Sequence, residues 1–371
     1  MKRSAVVLTV LLVVTLMVIG CKKAENTIKI GIAGPMTGGI AKMGEDFRNA
    51  VTVAADEWNT AGGILGKKIE LLIVDDQSDP KQAVSTANKL VNEGVVAVIG
   101  HFNSSCSIPA SDVYNRAGIP MITPASTNPQ LTDRGYRGVF RVCGRDDQQG
   151  KVAADFVNIK LEIKKVAIIH DKTTYGQGLA DEFRKHLGKT TGVVYYGGIT
   201  QGDKDFKAVL TTLKELSPEM LYFGGVYTEA ALLVKQAGEV GLKVRFMSGD
   251  AVIDPKFIEI AGANSAEGAY LTFSPDPNNI PEAKAFIGKY KAVYGEPGPY
   301  SIYSYDALNI LLNAIKEVKT TDGKAIIDAL HKKEFATSMG RINFTEKGDV
   351  AESPYVMWIV GNGKFVEYRQ P

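Results

Sequence analysis

The sequence predicts an α/β protein of two Rossmann-like lobes, each a doubly wound parallel sheet, joined by a hinge of several crossovers. Three observations predict it. Short apolar strands alternate with amphipathic helices from Ile28 to Met247, the signature of a parallel sheet covered on both faces. The alternation comes in two series, separated near Cys143-Gly144, and gives way to two long helices with no strand between them. At 371 residues the chain is too long for one ordinary domain and suits two of roughly 150 residues each.

Taken in order, the chain begins with Lys2 and Arg3, an apolar run from Ala5 to Ile19, then Gly20-Cys21. A basic start and a short apolar stretch read as a signal peptide over residues 1–20. A single membrane anchor is the competing reading, but the run is short for a full span. Val18-Ile-Gly-Cys21 is similar to a bacterial lipobox, which implies lipidation of Cys21 and a tether over residues 21–27. Removing Lys2 and Arg3 with the leader turns a formal charge of +2 into balance. A neutral chain without a basic cluster argues against nucleic acid as a partner. Cys106 and Cys143 remain, either paired in an oxidising compartment or as two buried thiols.

Ile28 to Gly34 is the first strand, followed by the loop Pro35–Gly39. Gly44 to Asn59 is a helix with Phe47, Val51, Ala54, Ala55 and Trp58 on one side. Ile69 to Val74 is a strand, and Asp75-Asp-Gln-Ser-Asp-Pro80 leads into the helix Gln82–Asn92. Asp75, Asp76 and Asp79 resemble a calcium loop, but Pro80 stands where the loop glycine belongs, so they read as turn and cap residues. Val95 to Ile99 is a buried strand ended by Gly100. Ser104 and Ser105 then open a helix as natural N-caps, and Met121 to Thr123 is the next strand, broken at Pro124.

The second series has strands at Val166–Ile169, Val193–Tyr196, Met220–Phe223 and Val244–Met247. Its helices are Gln149–Ile159, Gly178–Leu187, Phe206–Leu216 and Thr228–Val240. Helices at Pro281–Tyr294 and Ile302–Lys319 follow, then strands Tyr355–Val360 and Phe365–Tyr368 around the hairpin signal Gly361-Asn-Gly363. Crossovers near Cys143-Gly144, Ser274-Pro275 and Glu352-Ser353 divide the chain into an N-terminal lobe (28–144 and 275–352) and a C-terminal lobe (145–274 and 353–371). Several crossovers make a hinge with a cleft that can close.

Catalytic signatures are missing. The chain has no P-loop pattern and no G-x-S-x-G elbow. Gly176-Gln-Gly178 starts like a dinucleotide fingerprint and fails at Asp181. The four histidines have no zinc spacing. His170-Asp171 follows a strand, but no nucleophile is placed beside it. The expectation is a protein that is not an enzyme and carries no cofactor and no metal.

What remains is the pair of hydroxyl-rich strand ends around Ser104 and Ala125-Ser-Thr127. Ligands of open parallel sheets bind at the carboxyl ends of strands. Free N–H groups at a helix start, beside hydroxyls, suit a carboxylate. The same serines would equally serve as caps alone.

In combination the stretches are specific. Asp79-Pro-Lys-Gln-Ala-Val84, Val98-Ile-Gly-His101, Pro109-Ala-Ser-Asp112, Met121-Ile-Thr-Pro-Ala125, Leu131-Thr-Asp-Arg-Gly-Tyr136, His170-Asp-Lys172, Tyr175-Gly-Gln-Gly178 and Lys204-Asp-Phe206 occur in that order. The chain from Ile28 to Tyr368 resembles the branched-chain amino-acid-binding proteins of bacterial ABC transporters. The resemblance implies a type I periplasmic binding protein fold and no catalysis. It implies that Ser104 holds the ligand carboxylate, that Ala125 and Thr127 hold both ends of the ligand main chain, and that Tyr175 closes over it. Asp250 sits where leucine-type members carry an acid for the amino group, and Tyr300 sits at an aromatic wall. Met43 stands where familiar members have an aromatic residue. Val226 aligns with a tyrosine, for which Tyr227 is the neighbouring candidate. Asp250 is one methylene shorter than the usual Glu, and Ser78 and Asn103 replace a cysteine pair.

Physics supports the same site. A zwitterion needs donors at one end, an acceptor at the other and apolar area between. Ser104, Thr127 and the helix start supply donors, and Asp250 supplies a charge-assisted acceptor. The expectation is therefore an extracytoplasmic, lipid-anchored monomer that captures an aliphatic amino acid and passes it to ABC permease subunits. Its contact with the membrane would be through the lipid only. A sensor for a small amide or aromatic acid on the same fold, and a secreted enzyme, are the competing classes.

Overall fold

The computed structural model describes residues 27–369. The expected signal peptide, Cys21 and all but the last residue of the tether lie outside them.

Five strands form the first sheet: β1 (Thr27–Gly34), β2 (Lys68–Asp75), β3 (Ala97–Gly100), β4 (Met121–Thr123) and β5 (Val139–Arg141). They are all parallel, in the order β2-β1-β3-β4-β5. Both faces are covered, so the strands are apolar on both sides. Ile28, Ile30 and Ile32 of β1 pack in the cluster that includes Phe47, Ala50 and Ala54 of the helix Ala41–Thr60. Ala33 and Val98 point the other way, into a cluster with Ala87 and Leu90 of the helix Pro80–Asn92 and Ala110 and Tyr114 of the helix Ser104–Ala117. Gly100 has φ +129°, and a Cβ there would stand 2.2 Å from the Ala33 carbonyl oxygen, so only glycine fits.

The second sheet repeats this order. β6 (Lys165–His170), β7 (Gly192–Gly198), β8 (Met220–Gly224), β9 (Arg245–Ser248) and β10 (Tyr270–Phe273) run β10-β9-β8-β6-β7, all parallel. β11 (Glu334–Thr337) and β12 (Gly340–Asn343) pair separately as a two-stranded ribbon. β13 (Val356–Gly361) and β14 (Lys364–Glu367) add an antiparallel hairpin to the β10 edge, so the second sheet is mixed. Asn362 and Gly363, with φ +54° and +71°, form its two-residue turn, as the Asn-Gly pair predicts.

The chain passes between the two sheets three times. After β5, the helix Asp146–Asp155 packs on the helix Thr174–His186 of the second lobe. After β10, the helices Ala283–Tyr294 and Ser301–Val318 return to pack on the helix Ala41–Thr60 of the first. After β12 the chain re-enters the second sheet at β13.

Local signals explain the helix starts. Asp79 caps Pro80–Asn92 by accepting from the Gln82 N–H at 2.8 Å, and Thr173 caps Thr174–His186 through the Gly176 N–H at 3.0 Å. Asp75, at the end of β2, and Asp76 hold the turn that follows. Asp75 Oδ1 accepts from the Met36, Thr37 and Gln77 N–H groups, and Asp76 Oδ1 from Ser78. One expectation fails. Asn103, not Ser104 or Ser105, holds the N-cap position of the helix Ser104–Ala117. Ser104 is already helical, and its hydroxyl accepts instead from the Asn128 N–H at 3.2 Å. Cys106 and Cys143 are both buried free thiols. Among the described residues no helix is long and apolar enough to cross a membrane.

Candidate functional site

Sheets of the order 2-1-3-4-5 have their crevice where the connections diverge, at the carboxyl ends of strands 1 and 3. This chain has two such crevices. In the first lobe, β1 leads to Met43 and β3 to Phe102, Asn103 and Ser104, with Ala125 after β4. In the second, β6 leads to Tyr175, β8 to Val226, and β9 to Asp250 and Ala251. All of these, with Ile40 and Tyr300, line one small cavity between the lobes. A larger apolar hollow, lined by Phe273, Phe286, Pro297 and Trp358 among others, lies away from these strand ends.

The polar geometry centres on Asp250, which is buried. Tyr175 donates to Oδ1 at 2.7 Å, and Tyr300 makes a short hydrogen bond to Oδ2. Burial pushes the Asp250 carboxyl above its ordinary range, while the hydroxyls of Tyr300 and Tyr175 pull it back. Burial and the Asp250 charge push both tyrosines well up, so each remains a donor. Tyr300 belongs to the first lobe and Asp250 to the second, so their bond spans the cleft. The Asn128 side-chain amide donates across it to the Thr174 carbonyl at 2.8 Å, and Tyr227 donates to the Gly39 carbonyl at 3.0 Å. The lobes are therefore in a closed arrangement.

Close backbone approach sets the second lobe's wall. A Cβ on Gly176 would lie 2.4 Å from the Gly224 carbonyl oxygen, and one on Gly224 would lie 2.0 Å from that of Gly176. Gly176 thus seats a helix start against the end of β8, which brings Tyr175 to the cleft. The apolar area comes from Ile40, Met43, Phe102, Val226 and Ala251, with Phe102 edge-on to Tyr300 at 5.0 Å.

Met43, Ser104, Ala125, Tyr175, Val226, Asp250 and Tyr300 converge on this cavity. Thr127 and Tyr227 do not line it. Thr127 is fully buried, and the Tyr227 hydroxyl joins the lobes rather than facing the cavity. Sequence reasoning missed Ile40, Phe102, Asn103 and Ala251. The last three directly follow strand ends, a signal that would have found them. It also missed Asp146 and Gln149, buried at the start of the helix that first enters the second lobe. Burial, and then the Asp250 charge, push the Asp146 carboxyl well up. Among the described residues no cluster of His, Cys, Asp and Glu could hold a metal ion.

Two open-sheet lobes, hinged by three crossovers and closed over a small cavity with an acid at one end and a helix start at the other, define a cleft-type solute-binding protein. The comparisons agree. The chain matches the family described as periplasmic binding protein over residues 27–364, and it belongs to that family. It is 47% identical over 335 residues to an amino acid binding protein of Pseudomonas aeruginosa, covering 89% of each chain. It is 43% identical over 348 residues to Leu/Ile/Val-binding protein homolog 1 of Brucella suis, covering 92% of this chain and 94% of the relative. Among solved structures it is similar to the branched-chain amino acid transporter substrate binding protein LivJ of Streptococcus pneumoniae in complex with isoleucine. The TM-score there is 0.84 at 31% identity, covering 92% of this chain and 100% of that one. The family is an extracytoplasmic, substrate-binding class of proteins and not a class of enzymes.

Proposed function

We propose that this protein captures a branched-chain amino acid between its lobes and delivers it to the permease subunits of an ABC transporter. It acts by binding and closure, without catalysis. The observation that carries the reading is the interlobe cavity that joins Ser104, at a helix start, to Asp250 across an apolar middle. Relatives named as Leu/Ile/Val-binding proteins, and the isoleucine-bound structural neighbour, support the ligand class.

In this reading Ser104 and the first-turn N–H groups take the ligand carboxylate. Ala125 and Thr127 align the main chain, and Asp250 takes the ammonium. Tyr175 closes over the ligand, and Met43, Val226 and the Tyr300 ring face its side chain. Tyr227 acts by holding the closed lobes together. The lobe boundaries are those of the crossovers, 28–144 with 275–352 and 145–274 with 353–371. The protein works as a monomer, held to the membrane by a lipid on Cys21 after removal of residues 1–20. Mass spectrometry of the mature protein tests the anchor, since Cys21→Ser should abolish a diacyl mass.

A thermal-shift screen of the amino acids tests the function. A ligand that binds only the folded state at a hundred times its Kd stabilises by about 2.7 kcal/mol, a rise of several degrees in Tm. Leu, Ile and Val are expected to give it, and charged amino acids to give none. No shift with any aliphatic amino acid overturns the reading.

A further inference from the structure

Gly178, the second glycine of the Gly176-Gln-Gly178 stretch, faces the other lobe. It lies one turn into the helix Thr174–His186 of the second lobe. A Cβ there would stand 2.4 Å from Nδ2 of Asn128, a residue of the first lobe. The missing side chain is therefore a berth for a group from across the cleft. Asn128 fills it and donates from Nδ2 to the Thr174 carbonyl at 2.8 Å. The amide is oriented from its other end, where Oδ1 accepts from the Gln130 N–H at 2.9 Å.

The backbone of Asn128 is tied to the ligand side of the same lobe. Its N–H donates to the Ser104 hydroxyl at 3.2 Å, and Ser104 lines the cavity. A hydroxyl that accepts a bond still has its own proton to give, here to a ligand carboxylate. The Asn128 carbonyl accepts from the Arg141 guanidinium at 3.0 Å, and the Ser126 carbonyl accepts from it at 2.7 Å. Arg141 is fully buried and is itself held by Asp349 at 2.7 Å. Of these bonds of Asn128, only the one to Thr174 crosses between the lobes, so opening the cleft breaks it and leaves the rest.

We propose that Asn128 is a positioning residue that couples an occupied Ser104 to closed lobes. It is not among the residues that line the cavity, and it acts through Ser104. A carboxylate that accepts from the Ser104 hydroxyl polarises it and strengthens the bond it receives from the Asn128 N–H, because hydrogen bonds in a chain reinforce one another. That holds the Asn128 backbone, already clamped by Arg141, in the orientation that presents its amide to Thr174. The ligand thereby favours a bond made only in the closed state. Such a differential interaction is what a ligand needs to shift an open–closed equilibrium.

This inference rests on the amino-acid reading, and the test separates the two. Leucine is the probe, and its association and dissociation rates are measured by stopped-flow fluorescence. Gly178→Ala displaces the Asn128 amide only when the lobes are closed. Its dissociation rate should rise roughly three- to tenfold, the worth of one neutral hydrogen bond. Its association rate should stay within about twofold, because encounter precedes closure. Its ligand-free Tm should lie at or above that of the wild type, because alanine is the better helix former. A merely structural defect would lower it. Asn128→Ala should speed dissociation to the same extent, and adding Gly178→Ala to it should cost nothing more, since no amide remains in the berth. Losses that add in the double variant overturn the inference, as does slower association in place of faster dissociation. Asn128→Asp keeps an acceptor for Gln130 and loses the donor to Thr174, so its dissociation should quicken too. A wild-type dissociation rate in that variant overturns the inference whether or not Gly178→Ala folds. A wild type that binds no aliphatic amino acid overturns the functional reading, and the coupling with it.

Discussion

The two walls of the cleft are built on sheets of the same order but hold their polar groups in opposite ways. On the first lobe's wall most of them are closed among themselves, the Thr127 hydroxyl excepted. Thr123 donates to the His101 carbonyl at 2.7 Å and accepts from the Ala125 and Ser126 N–H groups. The Ser107 and Ser126 hydroxyls meet at 2.6 Å, and buried Arg141 holds the Ser126 carbonyl at 2.7 Å. On the second wall Asp171 Oδ2 and the Tyr222 hydroxyl are unpaired, and Asp250 leans on two tyrosines. A satisfied network is rigid, whereas a partly satisfied one responds to an added charge. The first wall is a fixed cradle, and the second answers to what enters.

This contrast is broken most directly at Asp250. Asp250→Ala removes the charge proposed to face the ligand ammonium, with an expected loss of roughly 2–5 kcal/mol, or about 30-fold to several thousand-fold in affinity. Calorimetry should show a far smaller loss for a ligand with no amino group. An amino-acid affinity within about threefold of wild type would reduce Asp250 to a turn residue.

Tyr175→Phe removes one charge-assisted donor within the second lobe, at about 1.5–3 kcal/mol, or roughly ten- to a hundredfold in affinity. Tyr300→Phe removes its counterpart across the cleft. It should therefore also raise the radius of gyration of the ligand-free protein in small-angle scattering, which Tyr175→Phe should leave unchanged. Equal radii for the two variants would show that the Tyr300 bond does not hold the lobes together.

Asp171 tests the second wall through stability. Burial raises its carboxyl to about 6, against the bonds from Thr173. A raised acid favours the folded state only while protonated, so its ionisation costs stability as pH rises from about 4 to above 6. Asp171→Asn keeps an acceptor for the Thr173 N–H group. Its Tm relative to wild type should therefore climb over that window, by the equivalent of about 1–3 kcal/mol. A difference independent of pH would mean that Asp171 is not the titrating group.

Ser104→Ala, on the closed wall, should have the smallest effect. It removes one neutral hydroxyl, worth about 0.5–1.5 kcal/mol, so binding should weaken no more than roughly tenfold. A loss as large as that of Asp250→Ala would mean that the first wall, too, depends on a single group.

Much of the scaffold was legible because its signals are local. The apolar run at Val95–Ile99, the cap Asp79 and the turn Asn362-Gly363 each act within a few residues. β5 and β10 were missed because Val139–Arg141 and Tyr270–Phe273 are too short to show a period and become strands only beside β4 and β9. The helix Gly323–Lys332 was missed although Asp322 caps it through the Ala325 N–H at 2.9 Å. The ribbon β11-β12 has no local mark beyond its turn.

At the site the same division holds. By itself the sequence determined that two β-α series exist, that Ser104, Ala125, Tyr175, Val226 and Asp250 follow strand ends, and that no metal or nucleophile signature accompanies them. Strand ends can be read locally, because the period of the chain marks where each strand stops. Only the tertiary structure decided that Asp250 is shared between Tyr175 and Tyr300, that Tyr227 joins the lobes while Val226 faces the cavity, and that Asp146 is buried beside Thr127. Those outcomes depend on groups as many as 188 residues apart, as Tyr227 and Gly39 are, meeting where water is excluded. Nothing in the local pattern encodes that, because a carboxyl shows its cost, and its use, only once its neighbours are in place.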